Sequence, residues 1–246
     1  MNTVVTFLWK DVQDFDKYEH PFIENKKWFK ERGDVYDMSY VNKLFSSIRR
    51  NTTHPVECVL ITDYENTDTN ADRIIPMWSD YREYGRCYCR LKLFDKSMQD
   101  IIANRFTWID IDVIIKDNID WLFEFENDFI IKGQPIHFSK EWCNGSMGQM
   151  NAGSRQIVWD KFRENLDFYL YDLPKDYHNY TGSDQAVISH ILEKEMTFPL
   201  DKYFEYKYKD IFPREDMDNA TMIFFSGDLD PSYYDEDFIN KHWHEN

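Results

Sequence analysis

The 246-residue chain is poor in the residues that make long flexible connections, with only 8 Gly and 8 Pro. No linker, repeat or low-complexity tract divides it, so one α/β domain with a substantial core is expected over residues 1–246. Cysteine is scarce too: Cys58, Cys87, Cys89 and Cys143. Cys87 and Cys89 are spaced C-x-C with no second pair at zinc-like spacing, which argues against a structural zinc. A chain of this size needs no disulfide staples, and all four are read as free thiols of a reducing compartment. No segment reaches the ~18 consecutive apolar residues of a membrane-spanning helix. The apolar start, residues 4–9, is too short for a span and lacks the basic flank of a signal peptide. A cytoplasmic protein is the expectation. Positive charge is also short: 29 Lys and Arg face 45 Asp and Glu, a net charge of −16. So acidic a surface repels nucleic-acid backbones and anionic membranes, and no nucleic-acid partner is expected.

What the chain has in quantity is apolar and aromatic residues, 42% and 17%. Residues 3–9 read as a first core strand. Ser39 opens a helix whose Val41, Leu44, Phe45 and Ile48 recur at helical spacing, and His54-Pro55 ends it. Residues 56–62 form a second continuous apolar strand closed by Asp63. Alternation of this kind favours parallel strands with crossover helices. A helix is expected within residues 91–103, and residues 106–115 read as one apolar strand interrupted only by Asp110 and Asp112. A short helix (118–125), a strand (128–132), helices over 155–166 and 183–194 and a last strand (221–225) follow. Residues 149–154 read as a strand end or turn with Gly153.

Asp110 and Asp112 carry the chemistry. In an extended segment alternate residues share a face, so both carboxylates would point one way while Ile111 anchors the other. Two charges at the end of an apolar strand are costly unless a cation compensates them. Mg²⁺ or Mn²⁺ suits oxygen ligands and is readily shared with substrate phosphates. Such a site can help a phosphate depart. Sugar transfer from a nucleotide diphosphate fits. So does a haloacid-dehalogenase-type phosphohydrolase, in which Asp110 would be the nucleophile and Asp112 the acid/base, although that motif belongs on a first strand and here follows about a hundred residues.

Several ordered segments resemble GT-A-type glycosyltransferases of the retaining, glycogenin and bacterial galactosyltransferase kind. They are the first strand; Val59-Leu60-Ile61-Thr62-Asp63; Tyr88-Cys89-Arg90-Leu91-Lys92; Trp108-Ile109-Asp110-Ile111-Asp112-Val113-Ile114; Met150-Asn151-Ala152-Gly153; and Gly182-Ser183-Asp184-Gln185. The resemblance implies a Rossmann-like GT-A domain with a mixed, mainly parallel central sheet. Residues 3–115 would form its nucleotide-binding half and 116–246 its donor-sugar and acceptor half. It implies a UDP-sugar donor, Mn²⁺ or Mg²⁺ on Asp110 and Asp112, and a saccharide or other hydroxyl acceptor. Thr6, Leu8, Trp9 and Asp63 would meet the nucleotide, and Arg86, Arg90 and Lys92 the phosphates or sugar hydroxyls. Ile111 would join the metal pair in contacting the donor. Asn151, Asp184 and Gln185 would hold the donor sugar and form the catalytic set. The family's C-terminal His-G-x-x-K-P-W segment is here Phe225-Ser226-Gly227-Asp228-Leu229-Asp230-Pro231-Ser232, without the His, Lys and Trp. Asp228, His242 and His244 stand as candidates for the third metal ligand, and a binding protein without turnover is the further alternative.

Overall fold

The computed structural model describes residues 1–10, 36–65, 67–84, 86–135, 140–175, 180, 182–226 and 229–244. Strand β1, Asn2–Leu8, shows how the sequence builds the centre. Its side chains alternate across the sheet: Val5 and Phe7 enter one apolar cluster, Val4 and Leu8 the other. Helix α1, Met38–Arg50, begins where the Asp37 side chain accepts from the Ser39 backbone N–H, leaving an apolar stripe from Val41 to Ile48 buried. Capping and the stripe both lie in the sequence, so the helix forms where the pattern puts it. Strand β2, Val56–Thr62, pairs in parallel with β1 along its whole length.

β3, Arg73–Pro76, joins β2 in parallel, and β4, Arg105–Ile109, joins β1 from the other side. β6, Phe129–Gly133, and β7, Cys143–Asn151, complete a six-stranded sheet of order β3-β2-β1-β4-β7-β6. Only β7 runs against the rest, because it is antiparallel to both its neighbours. The sheet is thus mixed and mainly parallel, and strands from both expected halves share it. Three short strands, β5 (Val113–Ile115), β8 (Tyr203–Glu205) and β9 (Met222–Phe224), form a second sheet of order β5-β9-β8. Apolar clusters fill both faces of the large sheet.

Two expectations are corrected. Residues 91–103 are not one helix: a 3-10 segment, Arg86–Phe94, gives way to a single turn, α2, Met98–Ile101. Between them the Asp95 side chain accepts from the Ser97 N–H at 2.8 Å, a local bond that competes with helix continuation. Residues 106–115 are not one strand either. The Asp110 N–H still pairs with the Ser146 carbonyl at 2.8 Å, but the chain then leaves the large sheet and re-enters β structure as β5 beside β9. Continuing straight would have carried two carboxylates between apolar layers. Further along lie α3, Gln156–Glu164, and α4, Asp184–Ile191, with Ser183 at the N-cap position.

Candidate functional site

The site is built on the ends of β1, β2 and β4, the edge where parallel strands deliver their loops. Asp110, Ile111 and Asp112 form the turn that leaves β4. Ile111 is buried in the core and anchors this turn. Arg90 arrives on the 3-10 segment, which is held rigidly. Cys89 and Leu91 on either side of it are fully buried, and the Trp78 indole donates to the Cys89 carbonyl at 2.9 Å.

Arg90 joins two distant parts of the chain. One guanidinium nitrogen, Nη1, bonds the Asp110 carboxylate, and Nε lies 2.9 Å from Asp184 Oδ2. Asp184 opens α4 and is only 3% exposed. Burial opposes the charge on Arg90, but Asp110 and Asp184 outweigh it and hold its pKa well above the ordinary guanidinium value. Burial pushes the Asp110 carboxyl up and the Arg90 charge opposes it. Asp112 is pushed up to about 8 by burial and by the neighbouring Asp110 charge. The Tyr36 hydroxyl donates to its Oδ2 at 3.1 Å, and among the described residues no cation pairs with it.

That imbalance is the test of the metal. Two carboxylates on one turn, one without a cation partner among the described residues, are an oxygen donor set that suits Mg²⁺ or Mn²⁺. Among the described residues no group of three His, Cys, Asp or Glu side chains converges to hold a metal by itself. Of the candidate third ligands, Asp228 and the His244 side chain lie outside the described residues. His242 lines a separate cavity with Lys116, Asp117 and Asp218.

The other predicted residues fall into two groups. Asp63 lies at the same edge: Oδ1 accepts from the Lys10 backbone N–H at 2.9 Å and Oδ2 from the Tyr81 hydroxyl at 2.6 Å. Thr6 and Leu8 are buried in β1, and the Thr6 hydroxyl is spent on the Ile109 carbonyl at 2.8 Å, fastening β1 to the end of β4. Trp9 packs edge-on against Phe7. Gln185 follows Asp184 in α4 and bonds to Glu141. Lys92 is turned elsewhere, with its ammonium 3.2 Å from Asp80 and over the rings of Trp78 and Trp159. Arg86 begins the 3-10 segment, and its side chain lies outside what the structure describes. Asn151 is not brought to the others. It pairs with Arg105 at the start of β4, whereas Met147 pairs with Ile109 at the end. Five residue steps of strand separate its partner Arg105 from Asp110, about 17 Å. An Asn near a Gly occurs twice in this stretch, and Asn144-Gly145 is the one at the site. Gly145 is so close to Asp184 that an added Cβ would lie 2.6 Å from its Oδ2.

Sequence reasoning missed Tyr36, Glu141, Asn144 and the buried pair Lys132–Glu205. The pair is fully enclosed, and Glu205 also accepts from Asn144 Nδ2 at 3.3 Å and from Ser226 Oγ at 2.9 Å. A charged pair inside two apolar runs leaves no periodic signal. A cavity of about 370 Å³ beside β8, lined by Tyr203, Phe204, Tyr208 and Phe212 among others, contains none of the predicted site residues.

No family model matches the chain, and no curated protein matches it in sequence. Solved structures do. A complex of the galactosyltransferase LgtC with donor and acceptor sugar analogues is 11% identical, with a TM-score of 0.57 over 98% of this chain and 91% of that one. An active-site glutamine-to-glutamate mutant of LgtC has the same TM-score and identity over 93% of this chain and 89% of that one. The glycosyltransferase GlyE of Streptococcus pneumoniae TIGR4 is 12% identical, with a TM-score of 0.59 over 94% of this chain and 56% of that one. The chain therefore has the fold of these glycosyltransferases, the GT-A fold that its ordered segments resemble.

Proposed function

We propose that this chain is a metal-dependent glycosyltransferase, one GT-A domain spanning residues 1–246. It moves a hexose, glucose or galactose, from a UDP-sugar to a hydroxyl of a saccharide or other acceptor, with retention at the anomeric carbon. The observation that carries this reading is Arg90, which ties the Asp110 turn to Asp184 at the strand-end edge of a glycosyltransferase fold. Retention rests on the resemblance and on likeness to LgtC. A cytoplasmic location rests on composition, alongside the finding that no helix among the described residues is long and apolar enough to cross a membrane.

In this reading Asp110 and Asp112 hold Mn²⁺ or Mg²⁺, which supplies Lewis-acid help to the departing diphosphate. Arg90 opposes the effect of burial on Asp110 and orients Asp184, whose carboxylate accepts hydrogen bonds from the donor sugar. Gln185 presents its amide to the same sugar. Thr6, Leu8, Trp9 and Asp63 line the nucleotide side, and Arg86 meets the phosphates, with Lys92 able to join it only by leaving Asp80. The Asn151 position disfavours sugar contact there. The phosphohydrolase reading is weakened by the same Arg90, because a guanidinium bonded to Asp110 blunts it as a nucleophile.

Thermal shift with UDP, UDP-glucose and UDP-galactose, each with and without Mn²⁺, tests the reading. Stabilisation that needs nucleotide and metal together, and that Asp110→Ala or Asp112→Ala abolishes, is the expected outcome. Equal stabilisation without metal rejects the role of the pair. Phosphate release from simple phosphomonoesters would favour the hydrolase instead, and donor binding without transfer or hydrolysis would favour a binding protein.

A further inference from the structure

Gln185 does not choose its amide orientation freely. Its Nε2 donates to Glu141 Oε2 at 2.6 Å, and Glu141 is only 2% exposed. A carboxylate accepts and does not donate, so an amide turned the other way would oppose oxygen to oxygen. The contact therefore directs the NH₂ group to Glu141 and leaves the carbonyl oxygen, Oε1, turned away from it.

The platform beneath this contact is laced together. The Trp142 backbone N–H donates to Ser189 Oγ at 3.2 Å, and the Cys143 thiol lies 3.3 Å from the same oxygen. Cys143 also donates to the Gln185 backbone carbonyl at 3.8 Å, and Gly145 abuts Asp184. The start of β7 is thus fastened along the first turns of α4, and Glu141 is held where it accepts from the Gln185 amide.

We propose that Glu141 is a positioning residue for sugar transfer: it holds the Gln185 amide so that Oε1, and not the NH₂ group, faces the donor sugar. This rests on the glycosyltransferase reading. Its chemical reason is charge. As the bond to the diphosphate stretches, positive character grows on the anomeric carbon and ring oxygen. A fixed carbonyl dipole stabilises it, and an NH₂ group in the same place opposes it.

The test uses the full chain with Mn²⁺ and a UDP-sugar that it turns over, reading UDP release, transfer and thermal midpoint. Glu141→Gln supplies an amide that can donate as well as accept, so Gln185 loses its orientation. The expected result is a kcat lower by about tenfold with donor KM within about twofold. The midpoint should stay within about 2 °C. Gln185→Glu, which faces one carboxylate with another, should fall further. Adding Glu141→Gln to it should restore part of the rate, because the amide at 141 then donates to the carboxylate at 185. Wild-type kcat in Glu141→Gln, or a double variant no faster than Gln185→Glu alone, overturns the inference. Wild-type protein that releases UDP from no nucleotide sugar overturns the glycosyltransferase reading, and the inference with it.

Discussion

Arg90 is the residue on which the candidate site depends most, because it pairs with one carboxylate from a strand end and one from a helix start. Asp184 is buried, whereas the Asp110 side chain is 31% exposed. Removing the guanidinium leaves the buried Asp184 without its cation, and Arg90→Ala should lower unfolding free energy by about 3 kcal/mol in urea titration. Asp112 gives a pH signature. Its carboxyl rises from the ordinary 3.8 to about 8 in the folded chain. The fold therefore binds this proton more tightly than the unfolded chain does. The stability it contributes is fully present below the unfolded pKa and is lost as pH rises toward the folded one. The metal-free protein should lose thermal stability between about pH 4 and 8, and Asp112→Asn should flatten that fall. Added Mn²⁺ should oppose it, since the cation favours the ionised carboxylate.

At the scale of elements, β7 decides the geometry of the site. Its Gly148 lies under the Trp108 ring, where an added Cβ would sit 2.1 Å from ring carbons. Gly148→Ala forces indole or strand to move and should cost about 1–3 kcal/mol, read by urea unfolding and near-ultraviolet dichroism. Gly145→Ala pushes on Asp184 instead. It should cut turnover by about tenfold or more while leaving metal-dependent UDP binding in place. β7 was also the element least legible in the sequence. Cys-Asn-Gly-Ser-Met-Gly-Gln-Met-Asn has no β-branched residue and no apolar alternation. It is a strand because its neighbours β4 and β6 need a partner and its glycines admit the Trp108 ring and Asp184. By contrast β1, β2 and α1 obey local rules, a short apolar run or a capped stripe, and were legible at once.

Over the whole molecule, Lys132 of β6 and Glu205 of β8 pin the large sheet to the small one across a fully enclosed ion pair. Breaking one side strands a charge in the interior. Lys132→Met alone should destabilise by about 3–5 kcal/mol, and Lys132→Met with Glu205→Gln should recover much of the loss in a double-mutant cycle. Glutamine at 205 keeps acceptors for Asn144 and Ser226, so the comparison isolates the charge.

The sequence by itself determined the elements whose signals are local and, through an ordered resemblance, singled out Asp110, Asp112, Arg90 and Asp184 as candidates for one site; that Arg90 pairs with both Asp110 and Asp184 came from the tertiary structure. Side-chain type and spacing carry that information without reference to the rest of the chain. Tertiary structure decided what spacing cannot encode. It broke the expected strand at the acidic turn and set Asn151 at the far end of β4. It turned Lys92 toward Asp80, and it put Glu141 against Gln185. Each of these follows from which distant surfaces meet when the two apolar clusters close on the sheet. Contacts between residues far apart in sequence are fixed by that closure, not by any local preference of the residues that make them.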